Sequence, residues 1–177
     1  MGHHGCTDQF QCVCADIILI PEIPYDIDKV VEAINKRSKD GKGFTILAVA
    51  EGAISKEDAK LSKKELKAKK KETKYPSVSY EVAAQIQERT GNEVRVTVPG
   101  HMQRGGSPCA YDRVLCTQLG AHAAKLILDE DYGYMVGMID GQTRKVPLGD
   151  VAGKLKMVQP DCQLIKEAKL VGICFGD

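Results

Sequence analysis

Apolar residues fall into short blocks along this chain, and the spacing inside the blocks switches between two periods. Ile17-Ile18-Leu19-Ile20 is an uninterrupted apolar run ended by Pro21, the pattern of a strand covered on both faces. Asp26 stands before a segment in which Ile27, Val30, Val31 and Ile34 recur at helical spacing. An aspartate in that place caps a helix, predicted to run to about Lys39 and to end at Gly41 and Gly43. Residues 44–50 form a second buried apolar run that closes at Glu51-Gly52. Strand, helix and strand in this order predict a parallel α/β layer.

The character changes over residues 55–74, where nine lysines crowd a stretch whose only apolar contacts are Leu61 and Leu66. This predicts an exposed helix or a surface insertion. A solvated face is the ordinary reading of such a run and polyanion binding the alternative. Pro76-Ser77 opens a further helix to about Thr90, with Val82, Ala83 and Ile86 inward. Gly91-Asn92 is a turn, and residues 94–98 read as a third strand. Ser107 is placed to cap the next helix and Pro108 to occupy its first helical position. That helix reaches about Leu128, with Leu115, Leu119, Ala123 and Leu126 inward. Tyr134–Ile139 reads as a fourth strand, and Asp140-Gly141 is a turn signal from which Lys145-Val146 returns as a hairpin. Shorter elements follow to Asp177, and no internal repeat is visible.

Composition narrows the class. With 177 residues, 43% hydrophobic and 28% charged, the chain suits one soluble domain with its own core. A formal net charge of +1 gives no global reason to expect nucleic acid or an anionic membrane as partner. No apolar run approaches the length of a membrane span and nothing at the start reads as a signal peptide, so a cytoplasmic location is expected. The cysteines number seven, with no C-x-x-C pair and no zinc-module spacing. Cys12-x-Cys14 with His3 and His4 offers a metal site on paper, but free thiols in a reducing compartment are the simpler reading.

The densest chemistry lies between Arg95 and Arg113. His101 and Arg104 flank a loop that leads through Gly105-Gly106 into a helix start. Glycines let backbone approach a ligand closely, and a helix N-terminus favours an anion. An arginine adds a bidentate, charge-assisted fork to phosphate oxygens, and a histidine donates to the same oxygens. Arg95 stands upstream on the segment that enters the loop. These residues make a phosphate-ester site on physical grounds, against the plain alternative of a tight turn with a solvated arginine.

The run P-G-H-M-Q-R-G-G-S-P from Pro99 to Pro108, followed by Tyr111-Asp112-Arg113, closely resembles the G-H-x-Q-R-G-G-x-P-x-x-x-D-R signature of the 6-phosphofructokinase family. Ile20-Pro21-Glu22, Val49-Ala50-Glu51-Gly52 and Leu119-Gly120-Ala121 also resemble family segments, so the similarity extends from about residue 16 onward. The resemblance implies an α/β fold, a Rossmann-like three-layer sandwich with a mainly parallel sheet, equivalent to the C-terminal half of a phosphofructokinase. Residues 1–177 would then be the fructose 6-phosphate-binding part, with 1–15 a divergent or non-native start and 55–75 a Lys-rich surface helix or insertion.

By position, the resemblance implies that His101 and Arg104 hold the 6-phosphate of fructose 6-phosphate. Arg95 would reach across a subunit interface to a neighbour's phosphate, which implies a homo-oligomer, a tetramer in the full enzyme. Glu51 would accept hydrogen bonds from sugar hydroxyls, with a helix cap or surface acid as its plainer alternative. Met1-Gly2-His3-His4 resembles the family's M-G-R-H segment, in which Met and Gly line the sugar site, although His3 replaces Arg. Lys42 and Glu22 fall near positions that form an effector site in some ATP-dependent members, against readings as a surface lysine and a strand-end acid.

The family's Gly-rich donor loop and its T-I-D-x-D-like catalytic segment lie upstream of this half in full enzymes and are absent here. The expectation is therefore no catalytic residue and no metal ligand in this chain. Mg²⁺ with ATP, or pyrophosphate, would be bound by the full enzyme, and this chain alone would have little or no turnover. Two other readings stay open: a catalytically inactive phosphosugar-binding or regulatory module, and an interaction domain using the basic helix.

Overall fold

The computed structural model describes residues 15–177. Along the chain come β1 (Ile17–Leu19), α1 (Ile27–Lys39), β2 (Leu47–Val49), α2 (Lys63–Glu72), α3 (Val78–Thr90), α4 (Ala110–Leu128), β3 (Tyr134–Ile139), β4 (Gln142–Pro147), α5 (Leu148–Val151) and α6 (Gln163–Leu170). Single 3-10 turns occupy Asp58–Lys60 and Gly100–Arg104. The chain divides into two compact units, residues 15–97 with 157–177, and residues 98–156.

The first unit is built around β1. It pairs in parallel with β2, Ile17 opposite Leu47 and Leu19 opposite Val49, as the strand–helix–strand order predicts. On its other side Cys174 supplies a third parallel lane: the Ile18 N–H donates to the Cys174 carbonyl at 2.9 Å and the Cys174 N–H to the Asp16 carbonyl at 3.1 Å. Because side chains alternate along a strand, Ile17 and Leu19 face a core with Val30 and Ile34 of α1 and Val82 and Ile86 of α3. Ile18 and Ile20 face a second core with Ile165 and Ala168 of α6 and with Phe175. The unbroken apolar run thus has its physical reason. Helices cover both faces of the sheet, which gives the three layers of an α/β sandwich, and each buried isoleucine contributes about 1.5–3 kcal/mol.

Local choices agree with this packing. The Asp26 carboxylate accepts the Asp28 N–H at 2.9 Å and caps α1. Asp16 accepts the Ile46 N–H at 2.9 Å and pairs with Arg37 at 2.8 Å, tying the start of β2 to the last turn of α1. Residues 94–98, expected as a strand, join no ladder among the described residues. Val94 and Val96 are half-buried while Arg95 and Thr97 are exposed, so the alternation of a strand is there without a backbone partner. Periodicity reports which face is covered, whereas a ladder needs a neighbour.

Tyr25 lies buried against this sheet, 4% exposed. Burial, reinforced by the Glu81 and Asp58 carboxylates, pushes its phenol from the ordinary 10.0 up to about 12. The folded state therefore holds the phenolic proton where the unfolded chain releases it, and stability present below pH 10 is lost as pH rises through about 12. Urea titrations across that window should show the unfolding free energy falling in the wild type, and Tyr25→Phe should flatten the slope.

The second unit sets α4 against a hairpin. β3 and β4 pair antiparallel from Tyr134 opposite Pro147 to Ile139 opposite Gln142. Asp140 and Gly141 turn the chain with φ of 51° and 74°, the left-handed pair that a two-residue hairpin requires. Lys145 pairs with Asp131 at 2.6 Å and lies 4.5 Å from the Tyr134 ring centroid. His122 Nδ1 and Thr143 Oγ1 are 2.9 Å apart. Leu115, Leu119, Ala123 and Leu126 are among the covered positions of α4, as expected, yet each is only half-buried. Among the described residues every buried apolar side chain belongs to the first unit, while Met102, Leu128 and Tyr132 stand exposed in the second.

Candidate functional site

The loop that carries the dense chemistry is a 3-10 turn followed by a glycine corner. Gly100 opens the turn at φ 56°, Arg104 closes it, and the Gly105 N–H donates to the Met102 carbonyl at 3.2 Å. Gly106 follows at φ 104°, a conformation that an L side chain adopts only with strain. The second glycine is thus required by the backbone itself. His101, Met102 and Gln103 are exposed on the turn.

The helix after the loop begins later than the sequence suggests. Cys109, not Ser107, is the N-cap, and Pro108 precedes the cap instead of occupying the first helical position. The reason is Asp112: its carboxylate reaches back one turn and accepts the Cys109 N–H at 2.9 Å, as an acid at the third helical position does in a capping box. Arg113 adds a second tie, its Nε–H donating to the Pro108 carbonyl at 3.2 Å. These two residues therefore lock the loop to the helix. The sequence signal was an acid three residues after the cap, which a search limited to Ser, Thr, Asp and Asn caps passes over.

The other candidates lie in the first unit. Glu51 is exposed in the turn after β2, where the carboxyl ends of β1 and β2 emerge. A Cβ at the neighbouring Gly52 would stand 3.1 Å from the Pro21 ring, so the turns leaving the two strands lie against each other. Arg95 is exposed, and its Nε–H donates to Glu93 at 2.8 Å. Glu22 is partly buried: one carboxylate oxygen accepts the Val158 N–H at 3.0 Å, and the other is buried without a hydrogen-bond partner. This geometry makes Glu22 a tie between the end of β1 and the segment before α6. Lys42 is exposed just after α1. Thus His101 and Arg104 share one turn, whereas Glu51, Arg95, Glu22 and Lys42 belong to the other unit. Met1 and Gly2, like Cys12 and Cys14 with His3 and His4, lie outside the described residues. Among the described residues no three His, Cys, Asp or Glu side chains converge as metal ligands. Nor is any helix among them long and apolar enough to cross a membrane.

A family model described as Phosphofructokinase matches residues 6–127. The chain belongs to the phosphofructokinase family. It is 54% identical over 162 residues to the ATP-dependent 6-phosphofructokinase of Spirochaeta thermophila, covering 92% of this chain and 44% of that relative. It is 39% identical over 161 residues to ATP-dependent 6-phosphofructokinase 3 of Bacteroides thetaiotaomicron, covering 91% and 43%. The solved phosphofructokinase of Saccharomyces cerevisiae superposes with a TM-score of 0.58 at 27% identity, over 85% of this chain and 19% of that one. The pyrophosphate-dependent enzyme of Nitrosospira multiformis superposes with a TM-score of 0.63 at 20% identity, over 91% and 41%, and so shares the fold. This phosphofructokinase chain spans less than half the length of the curated relatives it matches. Its α/β architecture with a parallel sheet is that of the solved phosphofructokinases.

Proposed function

We propose that this chain is the acceptor-sugar part of a 6-phosphofructokinase, which transfers a phosphoryl group from ATP or pyrophosphate to the 1-hydroxyl of fructose 6-phosphate and gives fructose 1,6-bisphosphate. The observation that carries the proposal is the glycine-cornered turn bearing His101 and Arg104, locked to α4 through Asp112 and Arg113. Holding a cation and a hydrogen-bond donor on one tied turn lowers the ordering cost of gripping a phosphate.

In this reading His101 and Arg104 bind the 6-phosphate and so fix the distal end of the sugar. Glu51, at the carboxyl ends of parallel strands where α/β proteins bind their ligands, accepts from sugar hydroxyls. Arg95 serves a neighbouring subunit's phosphate, which makes the working enzyme a homo-oligomer. Glu22 and Lys42 remain the proposed effector contacts, with Glu22 doubling as a structural tie. Bound Mg²⁺ would neutralise the charge of the transferring phosphoryl group. In this reading the chain's own contribution is orientation of the acceptor.

Calorimetric titration of the full chain with fructose 6-phosphate, fructose and inorganic phosphate tests the reading. Fructose 6-phosphate should bind at least about tenfold more tightly than fructose, because a phosphate gripped by charged donors adds upward of 1.4 kcal/mol. A coupled assay of the isolated chain with ATP or with pyrophosphate should give little or no product. Equal affinity for fructose and fructose 6-phosphate would remove the phosphate-site assignment.

A further inference from the structure

The lysines around α2 are not scattered over the helix. At 3.6 residues per turn, Lys64, Lys67 and Lys71 lie within about 60° of one another, while Glu65 and Glu72 lie roughly 140–160° away from Lys67. Lys64, Lys67 and Lys71 are exposed, as are Lys60 before the helix and Lys74 after it. Two of the nearby acids have structural work. Glu65 forms a reciprocal capping box with Ser62, at 2.8 and 3.3 Å, and Asp58 of the preceding turn holds Lys69 at 2.5 Å. No ion pair among the described residues neutralises Lys64, Lys67 or Lys71.

This arrangement has an energetic consequence. Lys64 with Lys67, and Lys67 with Lys71, are like-charge pairs at i,i+3 and i,i+4, and each destabilises the helix. A ten-residue helix is marginal on its own, and α2 buries little beyond half-covered Leu66. A helix held by its cap and one ion pair, with uncompensated repulsion along one face, is stabilised by a linear anion laid along that face.

We propose that the Lys64–Lys67–Lys71 stripe docks linear inorganic polyphosphate. The chemistry of the stripe selects this occupant. It offers point charges on flexible stems and no arginine fork. The helix carries no aromatic ring on which a nucleobase would stack, and its outward face has no large apolar side chain to enter a bilayer. It therefore reads charge density along a line, which spans about 10 Å from Lys64 to Lys71. This inference is independent of the sugar-phosphate reading and involves none of its residues.

The test titrates the full chain with long-chain polyphosphate over a series of salt concentrations, following calorimetric heat and far-ultraviolet circular dichroism. It compares wild type, the triple variant Lys64→Gln/Lys67→Gln/Lys71→Gln and the equally charged control Lys36→Gln/Lys39→Gln/Lys166→Gln. The wild type should bind with a linear log–log salt dependence and gain helical signal on binding. The stripe variant should lose about two to three units of that slope, bind at least about tenfold more weakly and show no helical gain, while the control follows the wild type. The proposal fails if wild type does not bind or if both variants lose affinity equally. It also fails if duplex DNA, anionic vesicles or poly-glutamate of matched charge bind the wild type more tightly than polyphosphate.

Discussion

Arg104→Ala should weaken binding of fructose 6-phosphate by at least about 100-fold, the largest single effect expected at the proposed site. A guanidinium offers a phosphate two parallel charge-assisted hydrogen bonds, each worth about 1.5–3 kcal/mol, and alanine removes both. Arg104→Lys should lie between, because an ammonium keeps the charge and loses the fork. His101→Ala removes one donor and should cost about tenfold. The specificity of the loss is as informative as its size. Affinity for unphosphorylated fructose should not change in any of these variants, since the turn is assigned to the ester oxygens alone. Calorimetry with both sugars, on variants whose thermal unfolding matches the wild type, decides the matter. If Arg104→Ala binds fructose 6-phosphate as the wild type does, the turn bearing His101 and Arg104 is not the phosphate site. Asp112→Ala is a useful companion: it retains both proposed phosphate-binding residues but frees the Cys109 N–H from its cap. A preorganised turn predicts a smaller, entropic loss there.

How much of this was legible in the residue order depends on what each element needs. β1 was legible because a strand covered on both faces has to be apolar at every position, and Ile17 to Ile20 are. α1 was legible through its cap and period, and the hairpin of β3 and β4 through Asp140-Gly141, because each of these signals is local. Residues 94–98 carry the local signal as well but join no ladder among the described residues, since pairing depends on a neighbour that no local pattern reveals. The third lane of the sheet, at Cys174, was invisible for the complementary reason: Ile173-Cys174-Phe175 is too short a run to stand out, and only β1 makes it a lane. At the candidate site, the order of His101, Arg104 and the two glycines was readable, while the helix start was displaced by two residues because Asp112 reaches back to the Cys109 N–H and makes Cys109, not Ser107, the cap.

The last lane of the sheet also carries the second large effect. Gly176→Ala should destabilise the fold by about 2–4 kcal/mol and lower the midpoint of thermal unfolding by about 5–15 °C. Two penalties coincide at this position. Gly176 sits at φ 75°, where a side chain costs about 1–2 kcal/mol by itself. A Cβ built there would stand 2.8 Å from Tyr25 Cβ and 3.3 Å from both Leu19 Cδ2 and Val30 Cγ2. None of these three neighbours can give way freely: Leu19 and Val30 are fully buried and Tyr25 nearly so. Moreover, the Gly176 carbonyl accepts the Asp26 N–H at 2.7 Å, so displacing Gly176 also disturbs the cap of α1. Gly91→Ala is the matched control. It shares the left-handed backbone, at φ 69°, but a Cβ there meets nothing within 4 Å, so it should cost only the backbone part, about 1 kcal/mol. Urea unfolding of both variants separates strain from crowding. Equal losses would mean that the C-terminal residues are not seated against β1 and α1, and the third lane would have to be abandoned.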